Sequence, residues 1–185
     1  MNNTSRRNFI KTSGAIGSFF ILPSGLRAKS PNSKICTAHI GTGGKGRIDT
    51  VYLAKHDNVE VIGLCDVDYA HGKIDTWSKQ FKSATAFQDY REMLTELGDK
   101  IDAVSISTPD HTHYPATMDA MERGKHIYLQ KPLTHKLDEA RHLAKFAKEK
   151  GLTTQMGIQN QSREAYRLAR HYVQEGIIGK ISKVY

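Results

Sequence analysis

Residues 34–68 read KICTAHIGTGGKGRIDTVYLAKHDNVEVIGLCDVD, and no other stretch of the chain narrows its fold as far. KICTAHIG, residues 34–41, is an apolar run closed by glycine, a strand signature. GTGGKG then sets Gly41, Gly43 and Gly46 in the spacing G-x-G-x-x-G, with Gly44 inside the loop. Apolar Ile48, Val51, Tyr52 and Leu53 predict a helix, and the β-branched run VEVIGLCDVD predicts a second strand. In such a unit the first glycine permits a tight turn and the second lets the backbone approach a pyrophosphate. The third lets the helix pack closely on its strand. The N–H groups that open the helix face the phosphates, and the helix dipole favours their charge. Asp66 stands 20 residues after Gly46, where a carboxylate holds a ribose 2′-hydroxyl. The pattern points to a bound dinucleotide, with Gly41, Gly43, Gly44, Gly46 and Asp66 as cofactor-binding residues. A carboxylate repels a 2′-phosphate, so NAD is favoured over NADP, and Arg47 and Lys73 are the cations placed to blunt that preference.

Beyond Asp66, strand and helix patterns alternate. Residues 69–80 predict a helix, 84–87 a brief strand, and 89–97 a helix stopped by Gly98. AVSIST (103–108) reads as a strand ended by Pro109, and 112–124 as a helix closed by Gly124. HIYLQ is a strand, 137–151 an amphipathic helix with a glycine stop, TTQMGI a strand, and REAYRLARHYVQEG a helix. The alternation argues a Rossmann-type, doubly wound α/β fold: a parallel sheet with helices on both faces. The expected organisation is a dinucleotide-binding domain over 34–158 and a linking helix over 159–185. GKISKVY reads as a strand just starting, so a second, C-terminal α+β substrate domain is absent or only begun.

The first 28 residues have a different character. They hold Arg6, Arg7, Lys11 and Arg27 with no acids, then an apolar stretch too short for the roughly 20 residues of a bilayer span. SRRNFIK resembles the twin-arginine export signal, so residues 1–28 are expected to be a leader, with no stable membrane span once it is removed. The expected location is the periplasm or cell envelope. Because that route carries folded proteins, it suits one that must take up a cytoplasmic cofactor first. The leader also accounts for half of the formal charge of +8: removing its 4 cations from 27 leaves 23 against 19 acids. The remaining cations are scattered, with no interleaved aromatics, which argues against nucleic acid. Cys36 and Cys65 both sit in apolar runs and read as small buried hydrophobes; nothing near them has metal-ligand spacing.

Ligands of open parallel sheets bind beyond the carboxyl ends of the strands. Three further segments end there: STPDHTH, QKP and GIQNQ. They bring Thr108, Asp110, His111, His113, Lys131, Gln159 and Asn160 to one edge. His113 can equally be a first-turn helix residue that steadies its loop by hydrogen bonding.

The run STPDHTHYPATMDAMERGKHIYLQKPLTHKLDEARHLAKFAKEKG resembles the Gfo/Idh/MocA oxidoreductases through its T-P-x-x-x-H and [E/Q]-K-P motifs, and the likeness extends over residues 34–185. Gln130 departs from the more usual glutamate of that motif. The resemblance implies an NAD-dependent oxidoreductase that moves hydride to or from a sugar or polyol. Lys131 is then the catalytic residue, partly desolvated and suited to moving a proton as a hydroxyl is oxidised. Pro132, often cis in this family, aims it, and Thr108, Pro109, His113, Gln130, Pro132 and Asn160 join the cofactor-binding set. The family's second domain supplies the substrate wall and a homo-oligomer interface. Two other readings stay open: an NAD-dependent glycoside hydrolase that oxidises its substrate transiently, and a non-catalytic dinucleotide-binding fragment. The Lys-Pro step favours the dehydrogenase, and the export signal favours a self-recycling cofactor.

Overall fold

The apolar runs pair in parallel into one sheet. In this computed structural model, which describes residues 34–183, the strands are β1 (Ile35–Ile40), β2 (Val59–Cys65), β3 (Thr85–Phe87), β4 (Ala103–Ile106), β5 (His126–Gln130) and β6 (Thr154–Gly157). The leader read at 1–28 lies outside the described residues. The sheet order is β3-β2-β1-β4-β5-β6, so the chain winds outward from β1 in both directions. All five pairings are parallel. The direction of winding reverses between β1 and β4, and that is where such sheets open a crevice.

Among the described residues the helices between strands are α1 (Gly44–Ala54), α2 (Tyr69–Gly72), α3 (Ile74–Gln80), α4 (Tyr90–Glu96), α5 (Asp110–Glu122) and α6 (Leu137–Lys150), and α7 (Glu164–Gln174) follows β6. Short 3₁₀ turns cover Gly98–Lys100 and Gln159–Ser162. Three expectations need correcting. The single helix over 69–80 is two, broken at Lys73, which takes a left-handed φ of 52°. The break turns Gly72 inward against Asp66, where an added methyl would lie 2.5 Å from the Asp66 Cβ. The helix expected from 112 begins at Asp110, directly after Pro109. Among the described residues of GKISKVY no strand starts, since 179–183 carry no regular structure.

Two apolar clusters hold the sheet. The larger joins Ala38, Ile40, Val104, Ile106 and Leu129 to Met93, Met121 and Leu143 from α4, α5 and α6. The smaller joins Val61 and Leu64 to Ile74 and Trp77 of α3. Successive side chains of a strand point to opposite faces, so β1 gives Ala38 and Ile40 to the larger cluster and turns Thr37 and His39 the other way. There α1 covers them with an unexpected inner face. Its buried residues are Gly46, Asp49 and Thr50, whereas Ile48 and Tyr52 are exposed. The helix is the one expected, but the face it buries is small and polar. Among the described residues no helix is long and apolar enough to cross a membrane.

His39 is 1% exposed, and its ring lies 3.1 Å from Thr37 Oγ1 and 3.2 Å from Thr50 Oγ1. Burial pushes its pKa from 6.5 down to about 4. The unfolded chain therefore takes up this proton first as the pH falls. The stability tied to neutral His39 is intact above pH 6.5 and is lost toward pH 4, at about 1.4 kcal/mol per pH unit. Between pH 7 and pH 5 the wild type should lose about 2 kcal/mol more than His39→Gln in paired urea titrations. Parallel pH slopes for the two proteins would refute a buried neutral imidazole.

Candidate functional site

The glycine loop is shaped by how closely α1 approaches the end of β1. A methyl on Gly46 would fall 1.7 Å from the Gly41 carbonyl oxygen, a separation no rearrangement of a side chain relieves. Gly41 has φ +79°, and a methyl there would lie 2.9 Å from the Ser107 carbonyl. The first and third glycines therefore have the packing roles expected of them. Gly43 ends its turn as the α1 N-cap, against the His71 ring, and Gly44 starts the helix with φ +48°. Asp66 closes the loop from β2: its Oδ2 accepts from Thr42 N at 2.9 Å and Gly43 N at 3.1 Å, and its Oδ1 from Asp68 N at 3.1 Å. The Oδ2 acceptor positions are taken, and Oδ1 keeps one for a further donor.

A cleft of about 510 Å³ opens at the reversal point between β1 and β4. Gly41, Gly43, Asp66, Asp68, Thr108 and Pro109 are among its walls. Its size lies within the range of small-molecule and cofactor sites, roughly 300–1,000 Å³. Thr108 Oγ1 is buried without a hydrogen-bond partner, the kind of group a ligand hydroxyl or phosphate would satisfy. A mononucleotide half fits these walls: apolar sides, a loop of backbone donors, and a carboxylate at the end of β2. Cys65, behind Asp66, is pushed up to about 12 by burial and by the neighbouring carboxylates, so it stays a thiol. Among the described residues no cluster of His, Cys, Asp or Glu could hold a metal ion.

The second group of residues is organised by Asp49, which sequence reasoning passed over. Its side chain is 3% exposed. Oδ2 accepts from Ser107 Oγ at 2.9 Å and Gln130 Nε2 at 2.7 Å. Oδ1 accepts from Gln159 Nε2 at 3.3 Å and pairs with Lys45 Nζ at 3.0 Å. Gln159 Nε2 also donates to the Tyr128 hydroxyl at 2.9 Å, and burial together with Asp49 pushes that phenol upward. Spacing held the clue. Asp49 lies three residues after Gly46, on the helix face that the third glycine commits to the sheet.

The candidate residues beyond the cleft divide into two kinds. Lys131 follows β5, its backbone N–H donating to Gln130 Oε1 at 3.2 Å, and the Lys131–Pro132 peptide is cis. Its side chain is exposed, so the partial desolvation expected for it is not built by residues 34–183. Asn160 is likewise exposed, in the 3₁₀ turn after β6. His113 and Gln130, expected in the cofactor-binding set, are buried and hydrogen-bonded within the protein. The His113 ring is 1% exposed, with Nδ1 2.7 Å from the Pro132 carbonyl oxygen and Nε2 2.8 Å from that of Thr108. It ties the Lys131 loop to the cleft wall, which is the loop-steadying role left open for it. Gln130 is 3% exposed and spends its amide on Asp49 and the Lys131 backbone. His111 lines the cleft and is exposed.

Comparison with known proteins agrees with this geometry. The family model described as an oxidoreductase family with an NAD-binding Rossmann fold matches residues 35–158. The scyllo-inositol 2-dehydrogenase (NAD(+)) of Bacillus subtilis is 34% identical over 140 residues, which is 74% of this chain and 40% of that protein. A glycosyl hydrolase family 109 protein of Stenotrophomonas maltophilia is 34% identical over 128 residues, 64% of this chain and 28% of its own. The scyllo-inositol dehydrogenase of Lactobacillus casei, solved with bound NAD(H) and scyllo-inositol, superposes with a TM-score of 0.71 at 26% identity, over 81% of this chain and 44% of that one. The chain thus spans about two fifths of the length of the curated relatives it matches. With its glycine loop, sheet order and Lys-Pro turn in the matched region, the chain belongs to the Gfo/Idh/MocA oxidoreductase family by its NAD-binding Rossmann domain.

Proposed function

We propose that the protein is an NAD-dependent oxidoreductase acting on a sugar or polyol hydroxyl. The observation that carries this reading is the pairing of a nucleotide-binding cleft at the β1–β4 reversal with a backbone-anchored lysine at the end of β5. Gly41, Gly43, Gly44 and Gly46 present the loop that would hold the pyrophosphate, Asp66 would take a ribose hydroxyl through Oδ1, and Thr108 and Pro109 would wall the nucleotide. NAD supplies a hydride acceptor when bound. Lys131 takes or returns the hydroxyl proton, and Pro132, His113 and Gln130 fix the backbone from which it projects. Asn160 stands at the same sheet edge for the substrate side. The relatives support a cyclic polyhydroxylated substrate, since they include an inositol dehydrogenase, a levoglucosan dehydrogenase and a D-glucoside 3-dehydrogenase. A second domain following α7, bearing the rest of the substrate wall and a homo-oligomer contact, belongs to the same proposal.

The glycoside hydrolase reading has one observation in its favour, the family 109 relatives at 34% identity. Net formation of NADH from a free sugar separates the two, because a hydrolase that re-reduces its own intermediate accumulates none. The SRRNFIK leader supports export of the folded, cofactor-loaded protein to the periplasm or cell envelope.

Three measurements test these assignments. Lys131→Ala in the full-length protein should lower kcat by about 10²–10⁴-fold and leave the NAD Kd within about threefold, as read by stopped-flow and calorimetry; an unchanged kcat would remove Lys131 from the chemistry. Asp66→Ala should weaken NAD at least about tenfold and narrow the gap to NADP, because it loses both the ribose acceptor and the partner of two loop N–H groups. Retained affinity would detach Asp66 from the cofactor. Replacing Arg6 and Arg7 together by lysine should hold the protein in the cytoplasm, as seen by fractionation, whereas undiminished export would place the address elsewhere.

A further inference from the structure

Each strand-end side chain that reaches Asp49 immediately precedes a candidate site residue. Ser107 precedes Thr108, Gln130 precedes Lys131, and Gln159 precedes Asn160. One carboxylate on α1 thus touches the ends of β4, β5 and β6 at the residue before each functional position. With Lys45 as the fourth partner, its acceptor positions, about four in a carboxylate, are filled. Gly157 is shaped to the same cluster. A methyl there would lie 2.6 Å from Gln130 Nε2 and 3.0 Å from Gln159 Nε2, so a side chain at 157 would displace both amides.

Resting on the oxidoreductase reading above, we propose that Asp49 is the positioning residue that holds Thr108, Lys131 and Asn160 in one constellation, and that Gln130 is an amide because Asp49 requires a donor there. Asp49 is not among the cleft walls, and its amine partner is Lys45 rather than Lys131. It acts through three neighbours that each have one side-chain contact to it and one peptide link to a site residue. A glutamate at 130, more usual in the motif, would set two carboxylates 2.7 Å apart in a buried pocket. Two such groups cannot both ionise and must share a proton. The amide removes that titration and donates at a fixed angle, while its carbonyl oxygen accepts from the Lys131 N–H. The departure at Gln130 and the buried Asp49 are then one feature seen from two sides.

The test compares full-length wild type with Asp49→Asn, Gln130→Glu, the double variant and Ser107→Ala, by hydrogen–deuterium exchange and by kcat against pH. Asp49→Asn keeps the volume and one acceptor oxygen. It should speed exchange about tenfold in residues 107–110, 128–133 and 157–161 together, leave β2 unchanged, and lower kcat about ten- to hundredfold with the NAD Kd within about threefold. Gln130→Glu should give the kcat profile a new ionisation, with activity falling as the pH rises. The double variant, which again faces a donor with an acceptor, should lose that ionisation. Ser107→Ala removes a single contact and should loosen 107–110 alone, so it and Gln130→Glu decide the matter if Asp49→Asn does not fold. Unchanged exchange at the three strand ends in the folded variants, or a Gln130→Glu profile like the wild type, would overturn the proposal. Loosened strand ends in a protein whose wild type oxidises no polyol would sink the oxidoreductase reading and leave the positioning role standing. Flat exchange beside normal turnover would do the reverse.

Discussion

The closeness of α1 to β1 decides most of what lies around it. With Gly46 set against the Gly41 carbonyl, the first turn of the helix sits where a methyl would not fit. A helix held that near to a sheet has no room for large apolar side chains on its inner face at that end. The face is therefore Gly46, Asp49 and Thr50, and the apolar Ile48 and Tyr52 turn outward. Val51 and Ala54, half-buried, still pack on the smaller apolar cluster, so the helix departs from the usual amphipathic arrangement at its first turns. It also sends a carboxylate and a hydroxyl under the sheet edge, where they must find partners or cost the chain dearly. Thr50 finds His39, and Asp49 finds Ser107, Gln130, Gln159 and Lys45.

The two buried polar groups beneath α1 solve the same problem in opposite ways. His39 is buried beside two hydroxyls, and burial pushes its pKa down to about 4, so it stays neutral. Asp49 instead meets a cation and three neutral donors, which fill its oxygens in a buried site. The first adds stability that acid removes. The second adds cross-links between elements distant in sequence: Asp49 and Gln159 are 110 residues apart and bonded. Removing one partner of such a network leaves a buried group unpaired, and that asymmetry makes it a strong constraint on strand-end geometry.

Much of this fold is written locally. Alternating strand and helix patterns, the glycine stops at Gly124 and Gly151, and the acid at the end of β2 are features of short windows, and each is where those windows place it. The glycine spacing carried the farthest, because a tight turn and a close helix leave few residue choices. What local reading passed over depends on long-range pairing. Nothing near Asp49 in sequence announces that Ser107, Gln130 and Gln159 converge on it. His113 and Gln130 look like ligand groups in their own segments, and their internal partners Thr108, Pro132 and Asp49 emerge only from the fold. The break at Lys73 was hidden for a similar reason: its cause is Gly72 against Asp66, a contact across elements.

Lys131 shows how the two levels combine. Its backbone is among the most constrained at this edge, with its own N–H on Gln130 and the next carbonyl within reach of His113. Its side chain is exposed on the surface formed by residues 34–183. A fixed origin with a solvated amine leaves the lysine's final environment to whatever packs over it. On the proposed reading, the Rossmann domain sets where the proton-handling group starts. How far that amine is desolvated, and which hydroxyl it meets, depends on surface brought to it from outside this sheet.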